Sequence, residues 1–170
     1  MNMGKITTQC YNTAMQKQDC FICNRIDQIK KGTNQYFVTE LTTGYVVIGD
    51  YQFYHGYTLF LCKQHVTELH FLDEEFKQKF LQEMALVAQA VYEIFKPEKL
   101  NYELLGNKDS HLHWHLYPRY KDDPCPNKPI WHIDKNLRCN HQTLAKPKEL
   151  KFMKHNLKKR INSLSRLKIV

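Results

Sequence analysis

The sequence lacks any apolar run long enough to cross a membrane, and its first fifteen residues, MNMGKITTQCYNTAM, lack the continuous apolar segment of a secretory signal. It also lacks a glycine-rich phosphate loop, a serine in a nucleophile elbow, internal repeats and low-complexity stretches. These absences argue against membrane and secreted proteins, P-loop enzymes, serine hydrolases of the α/β type and repeat proteins. We therefore expect a cytoplasmic protein with one domain, for which 170 residues suffice.

The excess of positive charge is confined to the C-terminal end of the chain. The formal net charge is +8, yet residues 145–170 contain nine Lys or Arg and one Glu, while the remainder contains 16 residues of each sign. From about Pro147 to Lys168, apolar residues recur at steps of three and four, which predicts a basic amphipathic helix. The stripe consists of Leu150, Met153, Leu157, Ile161 and Leu164. We expect the stripe to pack on the body of the protein and the lysines to stay solvated, in preference to binding nucleic acid.

Three histidines alternate with apolar residues in the segment HLHWHLYP, residues 111–118. A period of two is typical of a strand, on which residues two apart share one face. His111, His113 and His115 are therefore expected on one face, with the intervening apolar residues directed towards a core. Three imidazoles on one face of one strand favour a functional site over three unrelated structural histidines.

An imidazole can act as a nucleophile, as a general acid or base, or as a metal ligand. If a histidine attacks phosphorus, hydrogen-bond donors must surround the phosphate. The turn at 106–110, before the histidine strand, offers backbone N–H groups, the Asn107 amide and the Ser110 hydroxyl. Asp50 follows a predicted strand, where it either accepts hydrogen bonds from a ribose diol or caps a turn.

Six cysteines without a secretion signal indicate free thiols or metal ligands rather than disulfides. Cys20 and Cys23 have the spacing of half a zinc site. His65, His70 or one of the three alternating histidines can complete this site. A redox-active pair and two ordinary buried thiols are the alternatives for the same motif.

The remaining pattern predicts an α+β domain. Besides the histidine strand, short strands are predicted at residues 36–38, 45–48, 57–62 and 100–105. A short helix is predicted to begin at the N-cap Asp19, and a long one to run from the N-cap Asp73 to just before Pro97. Strands in series with one long helix between them indicate an antiparallel sheet of about five strands. We divide the chain into an N-terminal arm (1–18), a domain (19–140) and a basic C-terminal helical extension (141–170).

The segment HLHWHLY, followed by Pro118-Arg119-Tyr120, resembles the signature of the histidine triad (HIT) superfamily, and the resemblance extends over residues 20 to 120. Residues 45–50 resemble the family's strand that ends in a ribose-binding aspartate. Residues 56–65 resemble its Gly-His-hydrophobic-Pro-Lys-x-His segment, and Gly106-Asn107 resembles the pair that precedes the triad. The CxxC motif, with His65 and His111, resembles the zinc site of the bacterial branch of the family.

The resemblance implies a HIT-like fold and hydrolysis or transfer at the α-phosphate of a nucleotide, with nucleoside phosphoramidates or dinucleoside polyphosphates as substrates. It makes His113 the nucleophile that forms a nucleotidyl-histidine intermediate, and His115 the residue that assists the leaving group. His111 is structural in this scheme. The resemblance also implies a homodimer whose sheets join edge to edge, and no catalytic metal.

For the metal, the resemblance implies one structural zinc, held by Cys20, Cys23, His65 and His111. Four protein ligands close the tetrahedron, so such a zinc cannot also bind the water that catalysis requires. Two positions depart from the family pattern, because Tyr57 stands where a histidine is common and Cys62 where a proline is common. Neither departure is expected to touch the chemistry.

Two alternatives to this function remain open from the sequence. The three histidines can instead bind one catalytic zinc in a metal-dependent hydrolase. The chain can also be a non-catalytic module that binds a nucleotide, or nucleic acid through its basic C-terminal helix.

Overall fold

The fold is built on a single antiparallel sheet. The computed structural model describes residues 19–167, so the predicted arm at 1–18 lies outside the described residues. The strands are β1 (Phe37–Glu40), β2 (Gly44–Ile48), β3 (Thr58–Cys62), β4 (Lys99–Glu103) and β5 (His113–Arg119). They pair in the order β1-β2-β3-β5-β4, and every pair is antiparallel. This confirms the α+β class with a five-stranded antiparallel sheet.

Four α-helices accompany the sheet in the described residues: α1 (Phe21–Lys30), α2 (Glu74–Phe95), α3 (Lys135–Arg138) and α4 (Pro147–Leu167). Asp73 caps α2 as predicted, because its carboxylate accepts a hydrogen bond from the Phe76 backbone N–H. The N-cap of α1 is Cys20, one residue after the predicted Asp19, and its sulfur accepts from the Cys23 N–H. None of the described helices combines the length and the apolar character needed to cross a membrane.

The two faces of the sheet are covered by different helices. On one face, α2 and α4 share a core with residues of β2, β3 and β5, in which the rings of Phe60 and Phe80 stack 5.0 Å apart. On the other face, α1 packs Ile22 and Ile26 against β2 and β3. The apolar residues of the histidine strand point into the first core, where Leu116 is fully buried. The histidines of that strand therefore lie on the face that carries α1.

Helix α4 is part of the main core. All five residues of the predicted stripe are buried and belong to the cluster that contains β3 and α2: Leu150, Met153, Leu157, Ile161 and Leu164. Arg160 pairs with Glu93 on α2, and the Lys154 ammonium donates to the Gln35 carbonyl. The lysines at 148, 151, 158 and 159 are exposed. The HIT-like sheet and the basic helix thus share one hydrophobic core.

Shortening the fully buried Leu157 tests the contribution of α4 to the core. We expect Leu157→Ala to lower the free energy of unfolding by about 2–5 kcal/mol, because it removes apolar contacts and leaves a cavity. The exposed neighbour Lys158→Ala is the matched control and should change the free energy of unfolding by no more than about 0.5 kcal/mol. Denaturant titration followed by circular dichroism measures both values. Equal midpoints for the two variants would contradict the packing described for α4.

Candidate functional site

The histidine strand presents two imidazoles on one face of the sheet. His113 is the first residue of β5 and lies opposite Leu61 of β3, while His115 lies opposite Leu59 on β3 and Glu103 on β4. His111 precedes the strand and is almost completely buried, at 1% exposure. The structure therefore places His113 and His115 on one face of the sheet, as the alternation predicts. His111 precedes the strand and belongs to a separate cluster of side chains.

The cluster at His111 consists of four potential metal ligands. The ligand atoms of Cys20, Cys23, His65 and His111 all lie within 4.8 Å of one another. The His111 Nδ1 atom is 3.6 Å from the sulfur of Cys20, 3.3 Å from that of Cys23 and 3.2 Å from His65 Nδ1. The Cys23 sulfur is 3.2 Å from His65 Nδ1. The structure thus brings together the four residues that the resemblance implies.

The spacing of these atoms suits a tetrahedral zinc ion. Zn–N bonds of about 2.0–2.1 Å and Zn–S bonds of about 2.3 Å place neighbouring ligand atoms about 3.3–3.8 Å apart. The Nε2 atom of His111 lies 2.8 Å from the Cys62 carbonyl oxygen. An Nε2–H that donates to this carbonyl leaves Nδ1 unprotonated and directed at the cluster, which is the usual support for a histidine ligand. His70, the other candidate from the sequence, is not part of the cluster.

His113 is oriented by the backbone of the residue two positions before it. Its Nδ1–H donates to the His111 carbonyl oxygen at 2.6 Å, so the lone pair is on Nε2. The side chain is 4% exposed, and burial lowers the pKa of His113 below its ordinary value. The imidazole is therefore held neutral at neutral pH, as a nucleophile requires.

His115 is contacted by a tyrosine. The Tyr57 hydroxyl oxygen is 2.6 Å from His115 Nδ1, and the Tyr57 ring stacks on Tyr117 with centroids 4.1 Å apart. Burial, followed by the neighbouring His113, lowers the pKa of His115 from 6.5 to about 3. The structure therefore brings Tyr57, which was expected to lie apart from the chemistry, into contact with a histidine of the motif. The sequence did signal the position, since a tyrosine replaces the histidine common in the resembled segment.

A cleft of about 760 Å³ opens beside His113. Its lining includes Asn107, Ser110 and His113, which the sequence assigned to one site, and also Lys108 and His70. Asn107 is exposed and Ser110 is half-buried. The turn before β5 therefore supplies polar groups to the same cleft that His111 and His113 border.

A sequence model of the HIT domain matches residues 34–122, which is more than half of the chain. The chain belongs to the HIT family. None of the curated proteins matches the sequence.

Solved structures of HIT proteins share the fold. A histidine triad protein from Marinobacter aquaeolei has a TM-score of 0.65 at 22% identity, with 75% of this chain and 89% of that chain covered. A zinc-bound histidine triad family protein from Mycobacterium smegmatis has a TM-score of 0.59 at 18% identity, with 89% and 99% covered. A diadenosine triphosphate hydrolase from Plasmodium falciparum, in complex with cyclomarin A, has a TM-score of 0.52 at 13% identity, with 76% and 78% covered.

In this HIT chain, Asp50 lies in a second cavity, of about 390 Å³, and is not alone there. Both of its carboxylate oxygens accept from Nη2 of Arg25, at 2.6 and 2.5 Å. The Arg25 guanidinium lies 5.2 Å from the Phe21 ring centroid and 5.9 Å from that of Tyr36. The sequence did not indicate this ion pair, because Arg25 occurs among the apolar positions of α1 without a motif. Asp50 is therefore the half-buried member of an ion pair with Arg25.

The half-buried His115 makes stability depend on pH, because its pKa is lowered in the folded chain. Its pKa is about 3 in the folded chain, against about 6.5 for an exposed histidine in the unfolded chain. Between these pH values the unfolded chain binds one more proton than the folded chain. The free energy of unfolding is therefore highest above pH 6.5 and declines as the pH falls towards 3.

The parent's free energy of unfolding should fall as the pH is lowered from 6.5 to 4. We expect His115→Asn to reduce this slope by about 1.4 kcal/mol per pH unit, which is the value for one proton. Denaturant titrations at each pH measure the slope. His155→Asn, at an exposed position of α4, should retain the parent slope. A parent-like slope for His115→Asn would contradict the assignment of a ring that stays neutral in the folded chain.

Proposed function

We propose that the chain is a nucleotide hydrolase or nucleotidyl transferase that acts at the α-phosphate of nucleoside phosphoramidates or dinucleoside polyphosphates. The observation that carries this proposal is the hydrogen bond from His113 Nδ1–H to the His111 carbonyl. It fixes the lone pair on Nε2 of a buried, neutral imidazole that borders the cleft. A neutral imidazole with one oriented nitrogen is a competent nucleophile towards phosphorus.

The reaction proceeds in two displacements at phosphorus. In the first, the Nε2 lone pair of His113 forms a bond to the α-phosphorus, and the bond to the leaving group breaks with its electron pair on the departing atom. A phosphate leaving group departs as an anion, and an amine takes up a proton from solvent in the cleft. In the second, water attacks the same phosphorus, the P–N bond breaks, and the nucleoside monophosphate and a proton are released. A nucleotide acceptor in place of water gives transfer.

The groups around the cleft support binding of the substrate. Asn107, Ser110 and the backbone of their turn supply donors to the phosphate. His115, which follows His113 by two residues on β5 but does not line this cleft, assists the leaving group. Asp50, which lines the second cavity, binds the ribose hydroxyls there together with its partner Arg25, since the carboxylate is already oriented by that ion pair. The Plasmodium falciparum neighbour is named as a hydrolase of diadenosine triphosphate, a compound within the proposed substrate class.

We also infer that the four-residue cluster holds one structural zinc. Its support is the Cys₂His₂ donor set, the ligand spacing and the hydrogen bond of His111 Nε2 to the Cys62 carbonyl. Such a zinc supplies no chemistry to the reaction, because four protein ligands occupy its coordination sphere.

The catalytic-zinc alternative is less well supported by the directions of the three rings. His111 Nδ1 faces the cysteines, whereas His113 Nδ1 faces a backbone carbonyl and His115 Nδ1 faces a hydroxyl.

We also propose an oligomeric state and a cellular setting for the protein. The first is a homodimer, for which β4 at the sheet edge offers a pairing strand. The second is a reducing cytoplasmic setting, which thiolate ligands require.

Removing the nucleophile tests the proposed function. We expect His113→Ala to lower turnover by about a thousandfold or more, because no other group forms the covalent intermediate. The substrates are a panel of adenosine and guanosine phosphoramidates and dinucleoside polyphosphates. Rapid quench of the parent protein with a radiolabelled nucleotide should trap a nucleotidyl-enzyme that the variant does not form. His155→Ala is the control, and near-parental activity of folded His113→Ala would reject the proposal.

Metal content tests the zinc site. We expect about one zinc per chain in the parent protein and little in Cys20→Ser/Cys23→Ser, with a lower melting temperature for the variant. Plasma mass spectrometry measures the metal, and Cys125→Ser, an exposed cysteine outside the cluster, is the control that should keep it. Zinc that survives the double substitution but disappears in His113→Ala would place the metal on the triad instead.

A further inference from the structure

We propose that Tyr57 is a positioning residue of the triad, whose hydroxyl holds His115 in the tautomer that carries its proton on Nε2. His115 then presents Nε2–H as a hydrogen-bond donor to the group that leaves the phosphorus. The role of His115 in the reaction rests on the proposed function, whereas the assignment of its tautomer is independent of that function.

The contact between Tyr57 and His115 has the geometry of a strong hydrogen bond. The hydroxyl oxygen and Nδ1 are 2.6 Å apart, across a sequence separation of 58 residues. Tyr57 directly precedes β3, whose first residue, Thr58, lies opposite Leu116 of β5. The pairing of β3 with β5 therefore brings the two side chains together, and the contact is not an accident of a mobile loop.

The tyrosine ring is held in place from several sides. It stacks on Tyr117 with an interplanar angle of 7°, and it lies nearly parallel to the His115 ring, at an interplanar angle of 12°. Its edge also lies against Gly49, where a Cβ would approach the Tyr57 ring to within 2.0 Å. The Gly49 N–H donates to the Tyr57 carbonyl at 2.8 Å. Only a residue without a side chain fits at position 49, so the local sequence leaves room for this ring.

The Tyr57 hydroxyl carries a proton that it can donate to His115. Burial, and then the neighbouring Tyr117, raise the pKa of Tyr57 well above its ordinary value, so the phenol keeps its proton. A phenol that keeps its proton can donate or accept a hydrogen bond, and we assign it the donor role towards Nδ1, which is then unprotonated. A neutral imidazole has one N–H, so the proton of His115 resides on Nε2. An imidazole at position 57, which is common in the resembled family segment, would offer two ring nitrogens, whereas a phenol offers a single hydroxyl.

The direct test is the tautomer of His115, read by long-range ¹H–¹⁵N correlation spectra of protein labelled with ¹⁵N in its histidines. The spectra of the parent should show an unprotonated Nδ1 and a protonated Nε2 at His115. Tyr57→Phe keeps the ring and removes only the hydroxyl, so His115 should then populate the Nδ1–H form as well. Tyr54→Phe is the matched control, because its hydroxyl donates to the Ile130 carbonyl in the same aromatic cluster and not to the triad.

The kinetic test separates positioning from binding. We expect Tyr57→Phe to lower kcat about tenfold while KM changes less than about twofold, because the lost hydrogen bond orients a group that acts at the leaving atom. Tyr54→Phe should retain the parental kcat and KM.

Three results would overturn the inference: a parent His115 protonated on Nδ1, an unchanged tautomer in Tyr57→Phe, or a changed tautomer with the parental kcat. A different result is a parent that hydrolyses none of the nucleotides while the tautomer of His115 still depends on the Tyr57 hydroxyl. That result would reject the proposed function and support the positioning of His115 by Tyr57.

Discussion

Four side chains from three distant parts of the chain meet at one corner of the sheet, and the candidate site depends on that meeting. Cys20 and Cys23 come from the start of α1, His65 follows β3, and His111 precedes β5. The ring of His111 faces the cysteines while its carbonyl accepts the Nδ1–H of His113. One residue therefore links the cluster to the proposed nucleophile, and a displacement of His111 would disturb both.

The three histidines of the motif differ in their surroundings, because each Nδ1 has a different partner. At His111 the partners are sulfur atoms, at His113 a backbone carbonyl, and at His115 a tyrosine hydroxyl. An acceptor partner leaves the lone pair on Nε2, and a donor partner leaves the proton there. The strand supplies three similar side chains, and the surroundings make one a ligand, one a nucleophile and one a donor in the proposed mechanism.

The features that could be predicted from the sequence are those with a local period or a known motif. The apolar stripe of α4, the Asp73 cap and the alternation around His113 are periodic or adjacent in sequence, and the structure contains each of them. The two contacts that sequence reasoning missed join Arg25 to Asp50 and Tyr57 to His115. Both depend on how strands and α1 are placed in three dimensions, which no local pattern of residues encodes.

The position of α4 in the main core has a consequence for the order in which the chain folds. The bond from Lys154 to the Gln35 carbonyl spans 119 residues, and α4 contacts both β1 and β2. Contacts of such large sequence separation carry a high loop-closure entropy and form slowly. The hairpin of β1 and β2 can form early from neighbouring residues, but its apolar face stays exposed to water until the last helix arrives. During that interval the nascent sheet is at its most vulnerable to aggregation, and a late-synthesised helix ends the exposure.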